Sequence, residues 1–106
     1  MVNKHRGEIE AELGGEIYVL CLTLGALAEL ESAYGGEDLL AIAERFEKGR
    51  IGASDAIKII GAGLRGGGTK ISDAEVAALQ VAGGAVGYIG IVARLLTATF
   101  ASPENP

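Results

Sequence analysis

The stretch LCLTLGALAELESAYGG, residues 20–36, decides the fold because it changes from strand to helix at a single threonine. Its first residues are apolar and strand-forming, whereas Leu27, Leu30 and Tyr34 recur at the spacing of one helix face. The hydroxyl of Thr23 can accept a hydrogen bond from a free amide of the first helical turn. We therefore predict that a helix begins at Thr23 and ends at the glycine pair that closes the stretch.

The residues before this stretch predict a β-hairpin. Glu8, Glu10 and Glu12 alternate with apolar residues, which is typical of a strand with one solvent-exposed and one buried face. A Gly-Gly pair follows, and two glycines supply the positive φ angles of a tight two-residue turn. Residues 16–22 then form the second strand, and because both of its faces are apolar we expect both to be covered.

Four further helices are predicted downstream. They cover about residues 37–48, 53–66, 73–82 and 85–100. Ser72 and Glu75 have the spacing of a capping box at the start of the fourth helix, and Ser54 is expected to cap the third. The predicted fold is α+β and mainly helical, an N-terminal β-hairpin packed on four to five short α-helices. We expect residues 1–106 to form a single domain, ordered over about 6–100, with flexible ends at 1–5 and 101–106.

The last helix carries two sets of apolar residues. One stripe consists of Ile89, Ala93, Leu96 and Phe100, and it is widened by Tyr88, Ile91, Val92 and Leu95. Glycines within the helix weaken it when isolated, so it needs a partner surface in its own fold or in another chain. If the helix packs in its own fold, these residues are core. If it is loose, the candidates for partner contact are Tyr88, Ile91, Leu95 and Phe100.

Composition and charge narrow the function classes. Nine Lys and Arg oppose fourteen Asp and Glu, and no basic stripe is present to neutralise phosphates, so we expect no nucleic-acid partner. The uncharged run 76–93 is interrupted by two glycines and a glutamine, which favours a buried helix over a membrane span. A single cysteine excludes an intrachain disulfide and suits a reducing cytoplasm. The N-terminal segment lacks the apolar stretch of a secretory signal.

The sequence indicates no catalytic, metal or cofactor site. GAGLRG, residues 61–66, matches the dinucleotide fingerprint, but a helical pattern precedes it where the fingerprint requires a strand. His5, the only histidine, lies in a terminal segment without an orienting partner, and Cys21 fits a small core residue. The carboxylates fit solvated faces. We therefore predict that the chain is not an enzyme and binds no cofactor; a small nucleotide-binding domain based on GAGLRG is the rival hypothesis.

An ordered series of segments resembles a known family. The segments are RGE at residues 6–8 with the hairpin that follows, LTLGALAELE at 22–31, EDLLAIAERFEKGRI at 37–51, GAGLRGGG at 61–68 and ISDAEV at 71–76. In this order they resemble a small protein family encoded in the tail-gene clusters of gene transfer agents and related tailed phages. That family is labelled either a tail tube protein or a tail assembly chaperone.

The resemblance implies a role in building a phage-like tail. A chaperone of this kind would coat the long, helical tape measure protein, help tail tube protein to polymerise around it, and then leave. We favour the chaperone because a small, mainly helical chain is unlike the usual larger, β-rich tube subunit. The alternative is a structural component that stays in the particle. The resemblance implies no catalytic residues, and it leaves open whether the chain forms a homo-oligomer.

Overall fold

The computed structural model describes residues 7–100. In this range the chain forms an N-terminal hairpin followed by five helices: β1 Glu8–Leu13, β2 Glu16–Cys21, α1 Leu24–Ala33, α2 Leu39–Glu47, α3 Ala53–Gly66, α4 Asp73–Ala77 and α5 Gly84–Phe100. The predicted α+β, mainly helical fold is confirmed. The segments predicted to be flexible, 1–5 and 101–106, lie outside the described residues, and the single domain over 1–106 stays a prediction.

The hairpin closes as predicted through Gly14 and Gly15, whose φ angles are +60° and +86°. Leu13 pairs with Glu16 next to the turn, and the register continues to Glu8 opposite Cys21. Because residues directly opposite each other share a face, one face of the sheet carries the three glutamates of β1 with Ile17, Val19 and Cys21 of β2. The other face enters the core through Ile9, Ala11, Leu13 and Leu20.

The prediction that both faces of β2 are covered is wrong at one end. Ile17 is 71% exposed, whereas Cys21 is buried. The C-terminal end of α3 lies against the backbone of Val19 and Cys21 and does not reach the turn end of the strand. The alternating pattern gave the face of Ile17 correctly, but it carries no information on how far the covering helix extends.

Capping side chains begin three of the helices. The predicted cap Thr23 accepts a hydrogen bond from the amide of Ala26 at 3.1 Å, and Asp38 accepts one from the amide of Ala41 at 2.9 Å at the start of α2. Ser72 and Glu75 form the predicted capping box of α4. These contacts satisfy amides that have no partner within the helix.

Ser54 does not cap α3, contrary to the prediction. The residue at the cap position is Gly52, and its amide donates to the Asp55 carboxylate at 2.9 Å. Ser54 lies one residue inside the first turn and accepts a hydrogen bond from the Lys58 ammonium at 3.2 Å. The carboxylate three residues after the cap therefore satisfies the amide of the cap residue itself, and no side chain at the cap position bonds to the first turn.

Helix α3 runs through the middle of the core and contacts the hairpin, α1, α4 and α5. Its fully buried side chains are Ile59, Ile60, Ala62 and Leu64. Glycines let neighbours approach it closely: a Cβ at Gly63 would lie 2.7 Å from a methyl group of Leu95 on α5. Arg65 joins α3 to α1 and α4 through ion pairs with Glu29 and Asp73.

Helix α4 is shorter than predicted and ends at Ala77 rather than at residue 82. Two carbonyl groups that follow α4 have partners outside that helix. The carbonyl of Gln80 accepts a hydrogen bond from the amide of Gly14 at 2.8 Å, and the carbonyl of Leu79 accepts one from the Tyr88 hydroxyl. The first bond ties the segment between α4 and α5 to the hairpin turn, and the second ties it to α5.

Candidate functional site

Helix α5 presents an apolar face to solvent, which we call the outer face. It consists of Val86, Ile89, Ala93 and Phe100, which lie on one side of the helix because their separations of three, four and seven residues match helical turns. Val86 is 80% exposed, and Ile89 and Phe100 are each 40% exposed. Three large apolar side chains on one helix face form a patch of the kind that marks an interaction site.

The opposite side of α5 faces the core. Ile91, Val92 and Leu95 are buried there, and the hydroxyl of half-buried Tyr88 donates to the Leu79 carbonyl. The buried residues thus come from the set that widens the predicted stripe, while Ile89, Ala93 and Phe100 of the stripe itself face outward. The prediction combined both sets in one broad stripe, whereas the structure places them on different sides of α5.

The four residues predicted to contact a partner are therefore divided between the two sides of α5. Ile91 and Leu95 belong to the core, Tyr88 is half-buried, and Phe100 lies on the outer face. Ile91 and Leu95 could touch another chain only if α5 left the core. Partner contact by these residues stays a prediction.

The glutamates of β1 lie beside α5 and form what we call the glutamate row: Glu8, Glu10 and Glu12. They share the sheet face that does not enter the core. The Arg94 guanidinium of α5 donates a 2.9 Å hydrogen bond to the backbone carbonyl of Glu10 and so fixes the helix against the strand edge. An arginine that reaches this carbonyl satisfies an edge acceptor, and Glu10 and Glu12 of the row are exposed.

A shallow groove of about 380 Å³ lies between Glu12, at one end of the glutamate row, and α5. Glu12 forms one wall, and Gly87, Gly90 and Arg94 line the helix side. Gly90 follows Val86 by one helical turn, so the groove borders the outer face directly. No atom lies within 4 Å of the position that a Gly90 Cβ would occupy, which leaves this part of the surface open.

Comparison with known proteins assigns the chain to a family. The family model described as phage tail tube protein, GTA-gp10, matches residues 6–102, nearly the whole sequence. The chain belongs to this GTA-gp10 family. Neither the curated proteins nor the solved structures contain a match. Membership confirms the resemblance to gene transfer agent and phage tail proteins and makes the chain a phage tail component.

The GAGLRG segment of this GTA-gp10 family chain packs the core. Residues 61–66 form the last part of α3, and Gly61 to Leu64 are buried. A dinucleotide fingerprint requires free amides at a helix start, but α3 starts at Ala53. A Cβ at Gly66 would overlap the Cys21 carbonyl oxygen, which gives this glycine a packing role. Glycines recurring inside an apolar helical pattern were the sequence signal for that role.

Asp55 is a buried carboxylate that the sequence reasoning missed, since every carboxylate was expected on a solvated face. It is 7% exposed and accepts hydrogen bonds from the Tyr34 hydroxyl and the Gly52 amide. The Arg45 guanidinium lies 3.6 Å from it. Only the tertiary fold brings Tyr34, at the end of α1, to the start of α3.

The charges around Asp55 are structural rather than poised for proton transfer. Burial opposes ionisation of Asp55, but the bonds from Tyr34 and Gly52, with Arg45 nearby, hold the pKa of the carboxyl below its usual value. Burial and the bond to Asp55 raise the pKa of the Tyr34 hydroxyl well above its usual range. Since the two shifts keep Asp55 ionised and Tyr34 protonated around neutral pH, the pair lacks the matched pKa of a general acid or base.

Two negative findings concern residues 7–100. Within this part of the chain, no three His, Cys, Asp or Glu side chains come together in a group able to hold a metal ion. Among the helices described, none combines the length and the apolar character needed to cross a membrane. The outer face of α5 and the groove beside it are therefore the surface features to which we assign a function.

Proposed function

We propose that the chain is a non-enzymatic tail assembly chaperone that binds the tape measure protein in the host cytoplasm and assists tail tube polymerisation. The observation that carries the proposal is the outer face of α5, where Val86, Ile89 and Phe100 are exposed on one side of a helix whose other side is core. A long helical partner with an apolar stripe can lay that stripe along such a face.

The size of the outer face suits a partner that is later released. Complete burial of a Val, Ile or Phe side chain contributes about 1.5–3 kcal/mol. Val86 is 80% exposed and Ile89 and Phe100 are each 40% exposed, so their burial supplies about 2–5 kcal/mol. The cost of association, about 4 kcal/mol or more, largely offsets this gain. One copy binds weakly, whereas many copies along one long partner hold it collectively and detach one by one as tube subunits replace them.

Coexpression with the tape measure protein tests the proposal. We expect the soluble fraction of the tape measure protein to rise with the unchanged chain and to fall back with the double variant Val86→Ser and Ile89→Ser. Leu40→Ser is the matched control, because Leu40 is 79% exposed on α2 and is not part of the outer face. A tape measure protein that is equally soluble with and without the chain would remove the basis of the proposal.

The second candidate function is a structural tail component retained in the particle, which the tail tube description of the family favours. Purified particles separate the two functions. A chaperone is absent from them, whereas a structural subunit is present at a fixed copy number. In the structural case the outer face of α5 would contact neighbouring tail subunits.

A further inference from the structure

The glutamate row and the outer face of α5 run side by side. Three contacts fix their alignment along β1: Gly7 lies near Ala98, the Glu10 carbonyl binds Arg94, and Glu12 faces Gly87 and Gly90 across the groove. The strand and the helix therefore run antiparallel, with the acidic row along one flank of the apolar face.

We propose that this combined surface binds an amphipathic helix whose apolar stripe is flanked on one side by a row of Lys or Arg. The proposal rests on the proposed chaperone function and deepens it by giving the charge pattern of the partner helix. The apolar stripe lies on Val86, Ile89 and Phe100, and the basic row lies over the groove against the glutamates.

The spacings of the two rows agree. Alternate residues of a strand are about 6.7 Å apart, so the three glutamates span about 13 Å. Basic residues at every fourth position of a partner helix recur every ~6 Å, so two successive ones match the exposed Glu10 and Glu12 in register. The outer face extends over about 21 Å from Val86 to Phe100, which accommodates about four turns of such a helix.

The charges of the surface favour a basic partner over a second copy of the chain. Helix α5 carries one formal charge, Arg94, against the three glutamates of the row, and the whole chain has a net charge of −5. Two copies that meet through this surface offer no basic row to each other's glutamates, and when their α5 helices are antiparallel the two rows adjoin and repel. A basic flank on the partner helix removes that repulsion and adds attraction across the groove.

Two synthetic amphipathic peptides of about 18 residues, roughly 27 Å when helical, test the proposal. They share one apolar stripe, and its flank carries Lys in the first peptide and Glu in the second. Titration followed by fluorescence anisotropy in about 20 mM salt is expected to give at least about tenfold tighter binding of the Lys peptide. The difference should shrink to about twofold in ~500 mM salt, because exposed charges are then screened.

Variants of the chain assign the binding to this surface. The double variant Glu10→Gln and Glu12→Gln should reduce the preference for the Lys peptide to about threefold or less. Val86→Ser with Ile89→Ser should weaken binding of both peptides about tenfold or more. Leu40→Ser should change neither affinity, and thermal unfolding of each variant verifies that the fold is kept.

Equal affinity of the chain for the two peptides would overturn the surface assignment. So would a preference for the Lys peptide that is unchanged in the Glu10→Gln and Glu12→Gln variant. Self-association of the chain that the Val86→Ser and Ile89→Ser variant abolishes would overturn it as well. The outcome is separable from that of the proposed function. If the Val86→Ser and Ile89→Ser variant keeps the tape measure protein as soluble as the unchanged chain does, the chaperone function is kept and the assignment of binding to this surface is rejected. If the tape measure protein needs no help, the chaperone function falls while the peptide titrations still decide the surface.

Discussion

Replacement of Gly66 with alanine tests the close approach of α3 to the hairpin. The new Cβ would overlap the carbonyl oxygen of Cys21 and would lie 3.2 Å from its carbonyl carbon and 3.4 Å from the Ala26 Cβ. The obstructing atoms belong mainly to backbone, so no rotamer change can relieve the overlap. The end of α3 must move away from β2 instead, which loosens a contact in the middle of the domain.

The expected loss follows from two opposing effects. Overpacking of a dense core costs about 1–3 kcal/mol, and here the overlap with backbone places the cost near the upper end. Alanine gains at most about 1 kcal/mol over glycine in a helix, and less at Gly66 because it is the last residue of α3. We expect a net loss of about 2 kcal/mol, or a melting temperature roughly 8–16 °C lower.

Gly90→Ala is the matched control, because Gly90 is helical and a Cβ there meets no atom within 4 Å. Only the gain in helix propensity acts at this position, so we expect stabilisation of about 1 kcal/mol. Urea unfolding followed by circular dichroism measures both variants. A Gly66→Ala variant as stable as the unchanged chain would refute the reasoning, since it would show that α3 and β2 are not in close backbone contact.

Three further changes probe single interactions. Asp55→Asn should lower the free energy of unfolding by about 1–2 kcal/mol at pH 7. Because the folded pKa of Asp55 lies below its unfolded value, this stabilisation exists above the unfolded pKa of about 4 and is lost as the pH falls through the folded pKa. Urea midpoints of the variant and the unchanged chain should therefore converge in acid, and a constant difference would contradict the assignment. Thr23→Ala should cost about 1 kcal/mol through loss of the α1 cap, with Thr23→Ser retaining most of the stability. Tyr88→Phe should cost about 1 kcal/mol by removing the donor to the Leu79 carbonyl, and faster amide exchange at the start of α5 would locate the effect.

Features set by neighbouring residues could be predicted from the sequence. The Gly-Gly turn, the Thr23 cap and the Ser72–Glu75 capping box all depend on residues within one turn, and all three are confirmed. The early end of α4 could not be predicted, because residues 78–82 contain no glycine or proline and continue the helical pattern. In the structure the amides of Ala78 and Leu79 already bond to carbonyls three residues earlier, as in a closing turn.

The candidate site was predictable only in part. The apolar residues of the last helix were visible from their spacing, but they were predicted as one broad stripe, and their division between core and solvent depends on how α5 meets α3. The decisive residue is Gly63, which admits Leu95 and so turns that side of α5 inward. The glycines of GAGLRG were considered only as fingerprint residues and were given no packing role, whereas Gly63 makes room for a side chain thirty-two positions later.

The way α3 and Arg94 close the hairpin restricts how copies of this chain can join. The outward carbonyls of Val19 and Cys21 are shielded by the end of α3, and that of Glu10 is taken by the guanidinium. An incoming strand would therefore find these acceptors blocked, so extension of the sheet from one molecule to the next is disfavoured. In any multimer that this chain builds or joins, we therefore expect the subunit interfaces to be formed by helices.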